Sequence, residues 1–484
     1  MKRRPGRLLE LTTFRKVVNS KSRRRIPWVG HAEGMAHPVI KQQTFSMNKT
    51  ILRALALFSG LAICSSPTIA QVSKSAINDF LNDSAVKTGH VGISIYDPAT
   101  GKYLYNYNAE KNFLPSSNTK LFTLYAGMKY LGDSLVGMRY YKLNDSTTAV
   151  YGSGDPTFLH EDFIQQPVYN FLIEQDSLII VNTWMAENRI APGWAWDDYE
   201  EEFMPERSGF PIYGNLIRLF PEEGRVVTVP AVTALHLAHI GNGGVVHLHR
   251  DLATNTLAYH RDSKEQVKRE YRIPMVTSDA LKFLADTIHK KINPYSSLLT
   301  KRLDSAQEKK LITLYSRPVD SLFRPMMFNS DNFFAEQTLL MVSNERLGYM
   351  SDEDIIDTLL KTDFKDIPTK PRWVDGSGLS RYDLFSPKDF VYILVKLKNE
   401  FGQARMDRIL PAGGEGTLTG YYGGGDYIHA KTGSMSNNVS LSGYLWTAKK
   451  KLLIFSVIIN NFSGSGRSGR RAIEQFIQQI RATN

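Results

Sequence analysis

The stretch Pro115-Ser116-Ser117-Asn118-Thr119-Lys120-Leu121-Phe122-Thr123-Leu124-Tyr125-Ala126-Gly127-Met128-Lys129-Tyr130-Leu131 decides how the chain folds. Leu121, Leu124, Tyr125, Met128 and Leu131 recur at helical spacing, and the run is apolar enough to be buried. Ser117 and Lys120 stand three apart at its start, so their side chains share one helix face. A serine hydroxyl is a weak nucleophile until a neighbouring base takes its proton. A lysine can be that base only when neutral, a state favoured by burial or by a nearby cation. The helix N-terminus adds partial positive charge where an anion would develop. Alone the pair says little, because Ser46 and Lys49 repeat it near the N-terminus. A capping Ser117 with Lys120 on the surface would look the same.

Working outward, 91–97 alternates as a strand, 98–101 is a turn and 102–107 the return strand, after a helix-like opening at 73–85. Residues 135–315 differ in kind, with short apolar runs, frequent Gly and Pro, and one helical piece at 280–292. Helical spacing resumes from Val319 through Ser330 to Met341, and again over 387–401. Three strand-like runs follow at 426–431, 439–447 and 452–461; 464–469 breaks the chain, and 470–481 closes it as an amphipathic helix. Strands from both ends with helices between them predict an α/β (α+β) fold, an antiparallel sheet flanked by helices, with an inserted β-rich region. The expected organisation is a core from 71–134 and 316–484 around an insertion at 135–315.

Two further motifs follow in order. Ser330-Asp331-Asn332 lies at the junction into a helical run, and Lys431-Thr432-Gly433 is expected to end a strand. The Ser-x-Asn triplet is common by chance (Ser116/Asn118 and Ser436/Asn438 also fit), whereas Lys-Thr-Gly occurs once. Ser-x-x-Lys, Ser-Asp-Asn and Lys-Thr-Gly together mark penicillin-binding proteins and class A β-lactamases. From about Ile77 to the C-terminus the chain resembles the D-alanyl-D-alanine carboxypeptidase/endopeptidase family, the class C low-molecular-mass penicillin-binding proteins. The resemblance extends to Gly152-Ser153-Gly154-Asp155-Pro156-Thr157, to Ala191-Pro192-Gly193-Trp194-Ala195-Trp196-Asp197-Asp198, to Asp375-Gly376-Ser377-Gly378-Leu379-Ser380-Arg381 and to Gly416-Thr417-Leu418. The long separation of Ser117 from Ser330 fits a family with extra domains there.

The resemblance implies a β-lactamase/DD-peptidase-like core and these roles. Ser117 attacks the penultimate D-Ala carbonyl, and Lys120 takes the serine proton. Ser330 relays a proton to the leaving amine, and Asn332 holds Lys120 or the substrate amide. Lys431 and Thr432, with Gly433 beside them, meet the terminal carboxylate, and the Lys431 charge helps keep Lys120 neutral. Backbone N–H groups of Ser117 and Ser434 form the oxyanion hole. Asp198, Arg381 and Phe203 match places that recognise the diamino acid of the stem peptide, where opposite charges would pair. No cofactor and no metal is implied. The partners implied are peptidoglycan stem peptides, and β-lactams as inhibitors; a homodimer is left open. The rival readings are a β-lactamase or esterase on the same core, for which no deacylating glutamate is assignable, and a catalytically silent peptidoglycan-binding protein.

Charge and composition narrow the field. The net charge of +11 resides in residues 1–70, with 13 Lys/Arg against 2 acidic groups; the remainder is neutral. A neutral body gives no electrostatic case for nucleic acid. From Met47, a short basic region, an apolar core and Ala70 form an expected signal peptide (47–70) cleaved after Ala70, which implies a periplasmic protein. Residues 1–46 are expected to be an over-long start or an extension. Cys64, the only cysteine, falls in that signal, so disulfides, thiol nucleophiles and Cys-bound metal are excluded from the remainder. His236, His239, His247 and His249 have zinc-like spacing, but 241–244 looks like a turn between two strands, and strand histidines are the preferred reading.

Overall fold

The computed structural model describes residues 72–181, 188–222, 225–232, 235–238, 247–260, 270–293 and 310–484; the expected signal peptide lies outside them. Helix α1 (Lys74–Asn82) precedes the hairpin of β1 (His90–Asp97) and β2 (Lys102–Tyr107). A 3-10 turn (Ser116–Thr119) leads into α2 (Lys120–Tyr130). Next come β3 (Ser134–Lys142), β4 (Thr147–Gly152), α3 (Pro167–Glu174), β5 (Ser177–Val181), β6 (Leu216–Glu222) and β7 (Arg225–Val229). They are followed by β8 (Leu235–Ala238), β9 (His247–Arg250), β10 (Leu257–His260), β11 (Tyr271–Pro274), α4 (Ala280–Ile288), β12 (Ile292–Asn293) and β13 (Ile312–Pro318). Helices α5 (Asp320–Phe328), α6 (Asn332–Leu347), α7 (Asp352–Lys361), α8 (Pro387–Phe401) and α9 (Gln403–Ile409) then resume. The chain closes with β14 (Ile428–Met435), β15 (Asn438–Trp446), β16 (Leu452–Asn460) and α10 (Gly466–Thr483).

The main sheet runs β14-β15-β16-β1-β2, all antiparallel, so the first strand of the chain pairs with the last. Strand β16 is almost continuously apolar because both of its faces are covered. On one face Ile454 and Ile458 join Phe122, Phe390 and Tyr444 in a core built with the central helices. On the other, Phe455, Val457 and Ile459 pack with Phe80 of α1 and Phe476 and Ile477 of α10. The Phe80 and Phe476 rings stack 4.6 Å apart. Burial of each such side chain contributes roughly 1.5–3 kcal/mol, which makes this sandwich a rigid base for the motif residues.

Three boundaries differ from expectation, each for a local reason. The helical run at Ser330 is broken: Ser330 has φ +59°, and the Asp331 side chain accepts from Phe334 N to start α6 afresh. Strand β14 does not stop at Lys431, because Thr432, Gly433 and Ser434 go on pairing with Leu441, Ser440 and Val439 before Asn437, at φ +64°, turns the chain. Helix α10 begins at Gly466, capped by Ser465, rather than at Arg470. Gly469 sits inside it because a Cβ there would stand 2.9 Å from Val439 Cγ2.

Between α2 and α5 the chain leaves through β3 and returns through β13, which pair antiparallel at the edge of the sheet β12-β5-β4-β3-β13. This stretch has its own core, including Met138, Val150, Leu178, Phe210, Ile217 and Leu284. Two three-stranded sheets, β11-β6-β7 and β8-β10-β9, lie within it. Strands β8 and β9, which carry His236, His247 and His249, are not hairpin neighbours as the sequence suggested: β10 separates them, with His236 and His249 both registered to Ala258. His249 lies 3.2 Å from Glu200 through Nδ1, and His239 is outside the described residues. No group of three or more potential metal ligands occurs among the described residues.

Candidate active site

The turn before α2 holds Ser116 at φ +50°, which lifts half-buried Ser117 out at the helix start. Gly378, at φ +80°, closes from behind: a Cβ there would stand 2.0 Å from the Ser116 carbonyl oxygen. Lys120 is fully buried. Its Nζ lies 3.0 Å from Ser117 Oγ, 2.6 Å from Asn332 Oδ1 and 2.8 Å from the Ser377 carbonyl oxygen. Burial pulls the Lys120 pKa down to about 8, against the upward pull of Asp375, Asp331, Glu336 and Asp383. The helix face that spacing predicted thus carries both groups, with the base poised near neutrality.

The second and third motifs form a similar pair. Lys431 is buried and donates to Ser330 Oγ at 2.8 Å and to the Thr432 carbonyl at 2.8 Å. Burial lowers its pKa well below the usual lysine value, and the charge of Lys120 lowers it further. Desolvation is the main cause that depresses Lys120, and the repulsion between the two ammonium groups is mutual, so a charge on either lysine favours the neutral form of the other. Gly433 permits close packing, since a Cβ there would approach the Pro115 carbonyl to 2.7 Å. Ser440 Oγ ties the same carbonyl to β15 at 2.8 Å. Ser434, one residue on, is exposed and accepts from Arg470.

The remaining expected residues lie further out. Phe203 reaches the centre through its backbone, where its carbonyl accepts from Asn332 Nδ2 at 2.9 Å; its side chain is exposed. Asp198 is half-buried, and its carboxyl is pushed up by desolvation and by Asp197, with Arg381 opposing. Asp198 and Arg381 thus feel each other without forming an ion pair within 4 Å.

Several contributors carry no signal that spacing could supply. Ser377 gives Lys120 its third acceptor through a backbone carbonyl. Asp375, fully buried, accepts from Trp194 Nε1 at 2.9 Å, Gly378 N at 2.7 Å and Ser380 N at 2.7 Å, and so fixes the loop behind Ser116. Glu336 Oε1 accepts from Ser377 N at 2.7 Å, and burial raises its pKa to about 7. Arg207, buried and in no motif, faces Glu336 at 3.5 Å and pairs with Asp352. The Asp375–Arg381 segment was visible as a motif, but its hydrogen-bonding work was not.

Two serine–lysine pairs at one cleft, one with its serine at a helix start, can activate a hydroxyl and return a proton to a leaving group. The comparisons agree with that chemistry. A D-alanyl-D-alanine carboxypeptidase of Actinomadura sp. is 24% identical over 458 residues, covering 82% of this chain and 84% of the relative. The D-alanyl-D-alanine carboxypeptidase DacB of Haemophilus influenzae is 23% identical over 464 residues, covering 86% and 93%. The crystal structure of penicillin binding protein 4 (dacB) from Haemophilus influenzae superposes with a TM-score of 0.66 at 19% identity, covering 84% of this chain and 98% of that one. The same protein complexed with a β-lactam gives a TM-score of 0.62 at 17% identity. At these identities the structures show a shared fold, the antiparallel sheet flanked by helices. The family model for D-Ala-D-Ala carboxypeptidase 3 (S13) matches residues 73–483, so the chain belongs to that peptidase family.

Proposed function

We propose that the protein is an exported, periplasmic serine-type D-Ala-D-Ala carboxypeptidase, with DD-endopeptidase activity on cross-links, acting on peptidoglycan stem peptides through an acyl-enzyme on Ser117. The observation that carries this reading is a fully buried Lys120, titrating near 8, 3.0 Å from the Ser117 hydroxyl. Neutral Lys120 takes the proton as Ser117 Oγ attacks the penultimate D-Ala carbonyl. The oxyanion is met by the N–H groups of Ser117 and Ser434. As the C–N bond breaks, Ser330 gives its hydroxyl proton to the leaving amine and takes one from the Lys431 ammonium beside it. Water then attacks the ester, its proton returning through Ser330 to Lys431, while Lys120 gives the proton it holds back to Ser117 Oγ as the ester bond breaks. Asn332 positions Lys120, Thr432 and Gly433 line the far wall, and Asp198, Arg381 and Phe203 border the pocket for the stem-peptide side chain. Residues 71–134 and 316–484 are taken as the catalytic domain and 135–315 as its insertion.

β-Lactams, which carry a strained amide in place of the D-Ala-D-Ala bond, should acylate Ser117 and leave slowly. A β-lactamase reading needs a group that activates water against the acyl-enzyme. Glu336 is the nearby glutamate, but Ser377 N–H and Arg207 engage it in the interior. The test is labelling of the wild type and Ser117→Ala with a fluorescent penicillin, the adduct mapped by mass spectrometry. A stable adduct on Ser117, absent in the variant, and release of D-Ala from a stem pentapeptide support the proposal. A folded wild type that takes no label sinks it, and rapid loss of the label favours the β-lactamase.

A further inference from the structure

The inserted stretch 135–315 sends one charge into the interior behind Lys120. Arg207 belongs to no motif and is wholly buried. Its backbone is fixed on both sides. Arg207 N donates to the Arg189 carbonyl at 2.9 Å, and the next residue, Ser208, is clasped by the Gln337 side chain of α6. Gln337 Nε2 donates to the Ser208 carbonyl at 2.8 Å, and its Oε1 accepts from Ser208 N at 3.2 Å. This seating delivers the guanidinium to Glu336, the residue before Gln337, with Nη1 3.5 Å from Oε2. The guanidinium also pairs with Asp352 at the start of α7, donates through Nη2 to the Asn188 carbonyl at 2.7 Å and faces the Trp194 ring at 5.9 Å.

From Glu336 a short line of contacts leads to the base. Glu336 Oε1 accepts from Ser377 N at 2.7 Å, and the Ser377 carbonyl accepts from Lys120 Nζ at 2.8 Å. Four acids raise the Lys120 pKa: Asp375, Asp331, Glu336 and Asp383. Among the described residues Glu336 is the only one of the four with an arginine within 4 Å. Burial and Asp375 push its pKa up to about 7 while Arg207 pulls it down, so its charge at neutral pH depends on the guanidinium. An ionised carboxylate also grips an N–H more strongly than a neutral one. A purely structural arginine would serve to neutralise two buried carboxylates. That role accounts for the pair with Asp352 but leaves the line from Glu336 to Lys120 without a purpose.

We propose that Arg207 is a positioning residue of the reaction, by which the inserted region holds Glu336 ionised against Ser377 N–H and so fixes both the place and the electrostatic surroundings of Lys120. The proposal rests on the reading of Ser117 as nucleophile and Lys120 as its base. Arg207 touches neither substrate nor reacting atoms; it acts through Glu336 and Ser377.

The test measures fluorescent-penicillin acylation against pH, together with Tm, for the wild type, Arg207→Gln, Arg207→Lys, Glu336→Gln and the double variant Arg207→Gln/Glu336→Gln. Without the guanidinium Glu336 takes up a proton, Lys120 loses a neighbouring negative charge, and the inflection should move to lower pH by on the order of one unit. Arg207→Lys keeps the cation and should restore most of the wild-type profile. In the Glu336→Gln background the loss of Arg207 should move the inflection no further. A cation acting on Lys120 directly would give a shift to higher pH, and a structural role would lower Tm with the inflection unmoved. Either result, or a further shift in the double variant, overturns the proposal. Pairing Arg207→Gln with Asp352→Asn removes the carboxylate that would be left buried without a cation, and gives the same reading if the single variant does not fold. A wild type that takes no label, or whose profile is flat, sinks the serine–lysine reading itself. A labelled wild type with a clear inflection that no Arg207 variant moves sinks only the role of Arg207.

Discussion

Replacing Gly378 by alanine should damage the enzyme without touching any group that meets substrate. The added Cβ would lie 2.0 Å from the Ser116 carbonyl oxygen, 2.6 Å from the Ser116 carbonyl carbon and 2.8 Å from Thr119 Oγ1. An ordinary carbon–oxygen contact is about 3.3 Å, so the turn must retreat by about 1.3 Å. The positive φ costs about 1–2 kcal/mol for a residue with a Cβ, and the overpacking about 1–3 kcal/mol more. Ser117 is the next residue, and a displacement of about 1 Å at a reacting group lowers rates roughly a hundredfold. Gly132→Ala is the control: that residue has φ +69° with nothing within 4 Å of its would-be Cβ, so it carries the conformational cost alone. Thermal unfolding and the second-order rate of fluorescent-penicillin acylation should be measured on both variants. Gly378→Ala should lose more stability than Gly132→Ala, and its folded fraction should acylate at least tenfold more slowly than wild type. Stability equal to the control, with acylation at the wild-type rate, would refute the argument that this contact positions the nucleophile.

Other consequences are open to direct measurement. Because Lys120 titrates near 8 and acts when neutral, the rate of penicillin acylation should climb as pH rises from 7 to 9 and level off above; a flat profile contradicts Lys120 as the base. Glu336→Gln keeps an acceptor for Ser377 N but removes a charge that raises the Lys120 pKa, so the inflection of that profile should move to lower pH; a shift the other way would contradict the assigned electrostatics. Asn332→Ala frees Lys120 Nζ and the Phe203 carbonyl together and should slow acylation by roughly tenfold to a hundredfold with little loss of Tm; unaltered kinetics would remove Asn332 from the site. Asp375→Asn weakens a carboxylate that accepts from Trp194, Gly378 and Ser380 and should cost about 2–4 kcal/mol in urea unfolding; a change below about 0.5 kcal/mol would show that the loop is held by other means.

The sequence carried the sheet and its helices plainly, because β16 and α2 announce themselves by composition and period. It also placed Ser117 and Lys120 on one face, since three residues along a helix leave little freedom. It misplaced the breaks. Ser330 at φ +59° looks like any serine in a helical run, and the pairing that carries β14 past Lys431 depends on a partner strand. What lay furthest from reach were contacts made by backbone and by single charges. The Ser377 carbonyl has no side-chain signature, and Arg207 meets Glu336 across a separation that no periodicity records. Arg470 was counted simply as the start of a closing helix, although its position on α10 brings it to Ser434.

The three neighbours of Lys120 also dictate a route. A lysine ammonium has three hydrogens, and Ser117 Oγ, Asn332 Oδ1 and the Ser377 carbonyl are three acceptors. Two of them can only accept: a peptide carbonyl has no hydrogen to give, and the Asn332 amide is locked with its NH₂ turned to Phe203. When Lys120 is neutral, its two remaining hydrogens stay with those acceptors, and its lone pair has one direction left, towards the serine hydroxyl. The interior behind the lysine is thus closed to protons, and traffic runs back and forth along a single line that ends at the nucleophile.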